Sequence, residues 1–439
     1  MYRKVSIFSL LLLIPALTFS QNVNKTINLE KAVELALERN ISITLSKNNV
    51  ESQKSTYKSA IGGFLPSLNA SGSFGRNHNW SKINSGTAYS ATNSYSGSVS
   101  SNLTIFNGFA NIANINRTNS SIQASESNYK RTQQGIIYQT HQFFLNLVTN
   151  FQLLKVNEEN LKRSRRQLER IEETNKVGSA SLADVYRQRV TTANDELALI
   201  NAQNNFDNAK SDMELFLSLD NVEKYEYDFT SVPSDIDTVE FASINQEYQN
   251  LDELVKKAIQ TRPDYLSAVQ SLNISDASLT IARSGVYPTV SASASYGVGD
   301  KEFSKITDNR NLNLGVGVSL PIFSGFQTQT AIDQAKISRR NAEDQLKQTE
   351  RQVKVDIEKA RLDLEATQKQ IRVTQTSVMS AEMDRRIAEE KYNLGAGTLL
   401  DLLIASSNYV NSQSNKVNAV DSYLLAKKQM EFVLGTITN

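Results

Sequence analysis

Ile105-Phe106-Asn107-Gly108-Phe109 returns 217 residues later as Ile322-Phe323-Ser324-Gly325-Phe326. The same spacing of 217 residues is kept as far as Leu217 and Leu434, so the two copies agree in length throughout this part of the chain. Self-similarity at a fixed spacing is the mark of an internal repeat. The sequence therefore predicts two copies of one unit, related by pseudo-symmetry.

The residues that follow each copy of this motif favour long helices. They are rich in Ala, Gln, Glu, Lys, Arg and Leu and contain no proline. Gly178 and Gly395 mark where each long helix ends, and Ser181 and Thr398 are suitable N-caps for a return helix. The predicted helical hairpins cover residues 110–217, with the tip at 178–184, and residues 327–434, with the tip at 395–401.

One face of the second long helix carries a seam of apolar and small residues at spacings of mostly three and four. The seam consists of Leu346, Val353, Ile357, Ala360, Leu364, Thr367, Ile371, Thr374, Val378 and Ala381. This spacing is typical of a coiled coil. We therefore expect each long helix to pack against helical neighbours.

The residues before each copy of the motif alternate between two chemical types. In the clearest stretch, Leu312, Leu314, Val316 and Val318 alternate with Asn311, Asn313, Gly315 and Gly317. The four predicted strands cover residues of about 66–80, 93–106, 288–299 and 311–323. Alternation of this kind is typical of a transmembrane barrel strand, although a strand of a soluble sandwich alternates as well.

Four strands are too few to close a barrel, because the smallest membrane-spanning barrels have eight. An open sheet edge in lipid costs several kcal/mol for each unpaired backbone group. Either the strands lie outside a membrane or several chains share one barrel. Two chains would supply eight strands and three would supply twelve, so the strands predict an oligomer without fixing its number.

The first twenty residues have the pattern of a secretory signal. Arg3 and Lys4 give a positive start, Val5–Leu17 is mostly apolar, and small residues follow. We therefore expect a signal peptide over residues 1–20 and a mature chain that starts near Gln21. Thirteen apolar residues are too few for a transmembrane helix, which needs about 20.

The predicted first repeat covers residues 21–217 and the second covers residues 251–439. The join between them, residues 218–250, is rich in Asp and Glu and is expected to form an irregular, solvated side domain at the equator of the molecule. The basic run from Lys162 to Arg170 is expected to be a solvated helix face.

The composition argues against several classes of function. The 47 basic and 46 acidic residues nearly cancel, so nothing favours a nucleic-acid partner. Cysteine is absent, which excludes disulfides and thiolate metal sites. His78 and His141 lack a second ligand in their surroundings, and no catalytic constellation is present. We expect no metal, no cofactor and no enzymatic activity.

The chain resembles TolC-family outer membrane efflux channels over essentially all of the predicted mature sequence. The likeness is carried by the repeated motifs above and by the two hairpin tips, Val177-Gly178-Ser179-Ala180-Ser181-Leu182-Ala183-Asp184-Val185 and Tyr392-Asn393-Leu394-Gly395-Ala396-Gly397-Thr398-Leu399-Leu400-Asp401-Leu402-Leu403. The resemblance implies a homotrimer with a shared twelve-stranded barrel in the bacterial outer membrane and an α-helical tunnel in the periplasm.

The resemblance also implies partners and a passive transport function. Such a channel docks with a periplasmic adaptor (membrane fusion) protein and with an inner-membrane pump of the RND, ABC or MFS type. It serves drug efflux or type I secretion, and the sequence does not decide between these two. The alternative that we weigh against it is a non-channel periplasmic coiled-coil adaptor or scaffold protein.

A gate at the periplasmic helix tips follows from the same resemblance. Asp401 matches the family position whose carboxylates ring the entrance. Tyr392 and Asp184 match a pair that links neighbouring hairpins by a hydrogen bond in the closed state. Ile404 and Gly397 stand where other members can have a second acidic residue and an arginine, which implies one acidic ring and a weaker latch.

From the residues alone, these tip positions also have simpler interpretations. Asp184 and Asp401 fit the first turn of a return helix, where a carboxylate suits the helix dipole. Tyr392 fits ordinary packing in the coiled-coil seam. The tip residues that the resemblance implies as adaptor contacts are Gly178, Ser179, Gly395, Ala396 and Gly397.

Overall fold

A computed structural model describes residues 25–83, 86–219 and 225–438 of the chain. The first half contains β1 (Lys25–Ile27), α1 (Leu29–Arg39), α2 (Ile41–Gly62), β2 (Ser67–Ile83), β3 (Gly86–Asn107), α3 (Ala110–Lys176) and α4 (Leu182–Phe216). The join contains β4 (Tyr225–Tyr227) and α5 (Glu240–Glu247). The second half contains α6 (Leu251–Thr261), α7 (Pro263–Ser284), β5 (Thr289–Asp300), β6 (Arg310–Ser319), α8 (Gln327–Asn393) and α9 (Leu399–Val433). The expected signal peptide, residues 1–20, lies outside the described residues.

Equivalent helices of the two halves have equal lengths. α1 and α6 have 11 residues, α2 and α7 have 22, α3 and α8 have 67, and α4 and α9 have 35. At 1.5 Å per residue, α3 and α8 are each roughly 100 Å long. The duplication in the sequence is therefore a duplication of the structure. Within the described residues, no helix is long and apolar enough to cross a membrane.

The repeated motif makes the junction between a strand and a long helix. Gly108 and Phe109 both have left-handed backbone angles, with φ of 62° and 69°. The side-chain oxygen of Asn107 accepts a hydrogen bond from the backbone N–H of Asn111 at 3.2 Å. Ser324 does the same in the second copy at 3.3 Å. A short polar side chain before the turn thus satisfies a backbone donor at the start of each long helix.

The four long strands form one antiparallel sheet in the order β2-β3-β5-β6. β2 and β3 extend farther than the sequence predicts, and residues 86–94 of β3 pair with β2 alone. β6 ends at Ser319, short of the predicted 323, because Pro321 has no N–H to continue the ladder. Pairing between β3 and β5 joins the two halves of the chain.

The two faces of this sheet differ in chemistry, as the alternation predicts. On one face, the apolar side chains of β6 are between 64% and 75% exposed, and these residues are Leu312, Leu314, Val316 and Val318. On the other face, hydroxyl pairs bridge β2 and β3, with Oγ–Oγ distances of 2.8 Å for Ser71 and Ser98 and 2.7 Å for Ser73 and Ser96. A row of large apolar side chains thus faces outward from one chain.

The helices pack along coiled-coil seams. Val353, Ile357, Ala360, Leu364 and Ile371 of α8 are almost fully buried. α8 packs against α9 and α3 packs against α4, while α3 also contacts α9. Below the sheet the four helices therefore lie side by side in the order α4-α3-α9-α8.

The join is more buried than the sequence suggests. Phe241 is 0% exposed and Ile244 is 8% exposed, and both pack against Ile371 and Tyr423. β4 pairs in parallel with β1, which ties the start of the first half to the join. The apolar side chains of Phe241 and Ile244 thus cover the long helices, while Asp237, Glu240 and Glu247 of the join are exposed.

An ion-pair network links the halves near the middle of the molecule. Arg262 is 3% exposed, and its guanidinium lies 2.6 Å from Asp264 Oδ2 and 3.1 Å from Asp356 Oδ2. It also donates to the carbonyl oxygen of Val433 at 3.3 Å, and Arg131 lies 3.7 Å from Asp264. Burial by itself would raise the pKa of Asp264, but hydrogen bonds from Arg262 and the charges of both arginines lower it.

Candidate functional site

The first hairpin tip is a tight turn between α3 and α4. Gly178 has φ of 79°, which ends α3. The hydroxyl of Ser181 accepts from the backbone N–H of Asp184 at 3.1 Å and donates to Asp184 Oδ2 at 2.7 Å. Asp184 Oδ1 also accepts from Arg187 at 3.1 Å. Ser181 thus caps the return helix, and Asp184 lies in its first turn, as the simpler interpretation of this residue predicts.

The second tip repeats this arrangement with a full capping box. Gly395 has φ of 72°. Thr398 Oγ1 accepts from the backbone N–H of Asp401 at 3.2 Å, and the Asp401 carboxylate accepts from the Thr398 backbone N–H at 3.2 Å and from its hydroxyl at 2.7 Å. These hydrogen bonds, with a smaller contribution from Lys391, lower the pKa of Asp401. Asp401 is therefore an exposed carboxylate that stays ionised at neutral pH.

Tyr392 connects the two tips. It is half-buried and packs in a small apolar cluster with Ile171 of α3, Val185 of α4 and Leu399 of α9. Burial and the negative charge of Asp184 raise the pKa of Tyr392. Among the described residues of one chain, no hydrogen bond joins Tyr392 to Asp184. The structure therefore brings Asp184 close enough to Tyr392 for an electrostatic interaction, while Tyr392 itself packs in the apolar cluster.

A polar contact reinforces the link between the hairpins. Arg170 near the end of α3 donates to the side-chain oxygen of Asn393 at 2.7 Å, at the last residue of α8. Among the described residues, this apolar cluster and the hydrogen bond between Arg170 and Asn393 thus link the two tips of one chain.

The predicted adaptor-contacting residues lie at the surface of the tips. Gly178, Ser179, Gly395 and Ala396 are exposed and Gly397 is half-buried. A Cβ at Gly178 or Gly395 would meet nothing within 4 Å, so neither glycine is needed for close packing inside the chain. Their conformations, with positive φ, require glycine for the turn itself.

Sequence reasoning overlooked two large apolar residues beside these glycines. Val177 is 76% exposed and Leu394 is 80% exposed. They are equivalent in the two repeats, one residue before Gly178 and Gly395, and that equivalence is the signal that could have identified them. Neither side chain is covered within the chain, so both are free to make contacts at the tips.

Comparisons with known proteins agree with this architecture. A family model described as outer membrane efflux protein matches residues 32–217 and 254–436. The outer membrane protein TolC of Escherichia coli is 23% identical over 328 residues, which are 70% of this chain and 63% of that protein, so the match spans less than two thirds of this relative. The probable efflux pump outer membrane protein TtgC of Pseudomonas putida is 19% identical over 417 residues, which cover 93% of this chain and 82% of that protein.

A solved structure extends the likeness to the fold. The outer membrane protein VceC of Vibrio cholerae superposes with a TM-score of 0.79 at 18% sequence identity, covering 93% of this chain and 96% of that chain. The predicted fold class, long coiled-coil hairpins combined with a strand domain, is thereby confirmed.

Proposed function

Because the chain belongs to the outer membrane efflux protein family, we propose that it is the trimeric outer membrane channel of a tripartite efflux or type I secretion system. It acts as a passive export duct from the periplasm to the exterior. The observation that carries this proposal is the open four-stranded sheet with a large exposed apolar face.

The sheet has two unpaired edges and an outward apolar surface. β2 and β6 form the edges, and successive strands are antiparallel, so β6 of one copy and β2 of the next would meet in antiparallel orientation. Three copies close a barrel of twelve strands, which leaves no edge in lipid. The exposed apolar row on β6 would then face lipid, and the Ser–Ser face would line a water-filled lumen.

The helices offer matching edges for neighbouring copies. α4 and α8 lie at the outer positions of the four-helix layer. α4 carries exposed apolar residues at spacings of four, seven and three, and these are Tyr186, Val190, Leu197 and Ile200. α8 carries Val355, Leu362, Val373, Met379, Met383 and Ile387. Packing α4 of one copy against α8 of the next would bury both rows and form a twelve-helix periplasmic tunnel.

The tips form the gate and the docking surface. In a trimer, three copies of Asp401 would ring the periplasmic entrance, and their mutual repulsion would favour opening once other contacts are lost. Tyr392 and Asp184 hold the closed arrangement at each pair of tips. Gly178, Val177 and their equivalents in the second repeat present a small apolar surface to the periplasmic adaptor, which connects the channel to an inner-membrane pump of the RND, ABC or MFS type.

The exposed apolar side chains of the sheet fit a soluble scaffold protein less well than they fit a channel. A water-soluble adaptor would bury the apolar side chains of β6, whereas these side chains are mostly exposed in one chain. Exposed apolar rows of this size mark a membrane or protein contact. The apolar row on β6 therefore favours the channel over a soluble scaffold.

A planar-bilayer experiment tests the channel and its gate together. We expect Asp401→Asn to keep the capping geometry but to weaken the block of conductance by trivalent cations, because the ring loses its charge. Thr398→Ala is the matched control, since it removes the cap and keeps the carboxylate. Unchanged block in Asp401→Asn would refute the ring, and a purified chain that is soluble without detergent and does not conduct would refute the channel.

A further inference from the structure

A polar cleft separates the two helical hairpins of one chain above the tips. This open cleft has a volume of about 640 Å³. All four helices of the layer line it, including Arg163 and Gln167 of α3, Gln188 of α4, and Arg385 of α8. This volume lies within the range of small-molecule sites, roughly 300–1,000 Å³. The cleft lies between α3 and α9, so the neighbour contacts proposed for α4 and α8 would not fill it.

Two arginines meet at one aromatic ring in this cleft. The guanidinium carbons of Arg163 and Arg385 lie 5.7 Å and 5.4 Å from the ring centroid of Tyr409. The sequence predicts a solvated face for the basic run that contains Arg163, but its side chain is half-buried and turns toward the cleft. Two like charges brought together in a partly dry site repel each other, and a nearby anion offsets that repulsion.

The carboxylates of the cleft neutralise Arg385 but leave Arg163 without a counter-charge. Glu389 accepts from Arg385 at 2.7 Å, and Asp195 accepts from Asn160 at 2.8 Å. Among the described residues, Arg163 has no carboxylate within ion-pair distance. Burial and the charge of Arg385 lower the pKa of Arg163, which is consistent with a local excess of positive charge.

Several buried polar atoms of the cleft lack a partner. Among the described residues, eight buried side-chain atoms make no hydrogen bond, and four of them belong to residues that line this cleft. They are Arg163 Nη2, Gln167 Nε2, Arg385 Nε and Gln188 Oε1. Three of the four are donors. An unpaired buried polar group is costly, so such a concentration of donors indicates a site that a ligand completes.

We propose that this cleft binds a small molecule bearing a carboxylate or phosphate group, with Arg163 and Arg385 as its charged donors and Gln167 as a further donor. Carboxylate and phosphate oxygens are the acceptors that guanidinium groups hold best. The cleft is larger than either group alone, so it has room for the rest of a small molecule that carries the group. A bound anion bridges α3 and α8 and holds the two hairpins of one chain together, in addition to the contacts of Arg170 and Tyr392 at the tips.

Titration of the full-length protein in detergent tests the proposal. The probes are sodium phosphate and sodium succinate, added at constant ionic strength and followed by isothermal calorimetry and by the thermal unfolding midpoint. We expect saturable binding with at least one probe, and no saturable effect of sodium chloride. Binding by phosphate alone or succinate alone identifies the group that is recognised, and binding by both supports the shared chemistry.

Matched arginine variants separate the site from general charge effects. Arg163→Gln and Arg385→Gln should each weaken the affinity at least tenfold. Arg165→Gln is the control, because Arg165 lies on the same helix, is 59% exposed, pairs with Glu196 and does not line the cleft. Circular dichroism checks that each variant keeps its helical content.

Three results would overturn the proposal. They are the absence of saturable binding by both probes, equal affinity in Arg163→Gln and the unaltered protein, or an equal loss in the Arg165→Gln control. None of these measurements uses conductance, so they stand apart from the test of channel function. Absence of small-anion binding together with crosslinking from the cleft to an acidic protein would assign the cleft to a protein partner instead.

Discussion

Replacing Arg262 by methionine removes the centre of the ion-pair network while keeping most of the side-chain volume. The guanidinium donates to both oxygens of Asp264, to Asp356 and to the carbonyl of Val433. Methionine fills the space but replaces none of these donors. The substitution thus leaves two carboxylates partly buried without their main counter-charge.

The expected cost follows from the burial of these groups. Breaking a buried ion pair by removing one partner typically costs about 3–5 kcal/mol. The side chain of Asp264 is 32% exposed and that of Asp356 is 26% exposed, so water compensates part of the loss. We therefore expect Arg262→Met to lower the free energy of unfolding by about 3 kcal/mol, at the lower end of that range.

The assay is urea unfolding in detergent, followed by circular dichroism at neutral pH. Adding Asp264→Asn to Arg262→Met should recover part of the lost stability, because one uncompensated charge is removed. Arg339→Met serves as the control: it breaks an exposed pair with Asp276 and should leave the midpoint nearly unchanged. If Arg262→Met shifted the midpoint no more than Arg339→Met, the network would not stabilise the fold as argued.

Two further predictions concern other buried positions. Burial, with a smaller effect of the charge of Lys428, lowers the pKa of His141 from 6.5 to about 4, so the folded protein favours the neutral ring. We therefore expect the free energy of unfolding to fall by roughly 3 kcal/mol as the pH drops from 6.5 to 4. His141→Gln should lose less stability across this window in thermal unfolding, and equal losses would contradict the assignment. Gly108→Ala should destabilise by about 2 kcal/mol, because φ is 62° and the new Cβ would lie 2.8 Å from the carbonyl oxygen of Ser284. Gly62→Ala, which meets nothing within 4 Å, is the control and should be neutral or slightly stabilising in the same assay.

Signals within a few residues of the sequence were sufficient to predict where the long helices begin and end. The predicted hairpin limits agree closely with α8, which covers Gln327–Asn393, and with α9, which starts at Leu399. A glycine with positive φ and a capping Thr or Ser act within a few residues, so the sequence shows them directly. The strand limits were less accurate, because residues 86–94 lack regular alternation and are held as a strand only by pairing with β2.

The tip residues could be only partly interpreted from the sequence. The capping box of Thr398 and Asp401 and the first-turn position of Asp184 after Ser181 follow from the spacing of these residues. The exposure of Val177 and the packing of Tyr392 depend on how two hairpins lie against each other. No pattern of neighbouring residues in the sequence shows either the exposure of Val177 or the packing of Tyr392.

Sequence alone determined that this chain is a duplicated unit of long helices and two-faced strands, because periodicity and repetition are properties of neighbouring residues. Only the tertiary structure decided which faces meet: β3 against β5, α3 against α9, Arg262 between two acidic residues, and Arg163 toward an internal cleft. The physical reason is that the spacing of apolar residues, two in a strand and three or four in a helix, shows only which side of the strand or helix is apolar. The partner that covers that side lies up to hundreds of residues away, and packing geometry selects it.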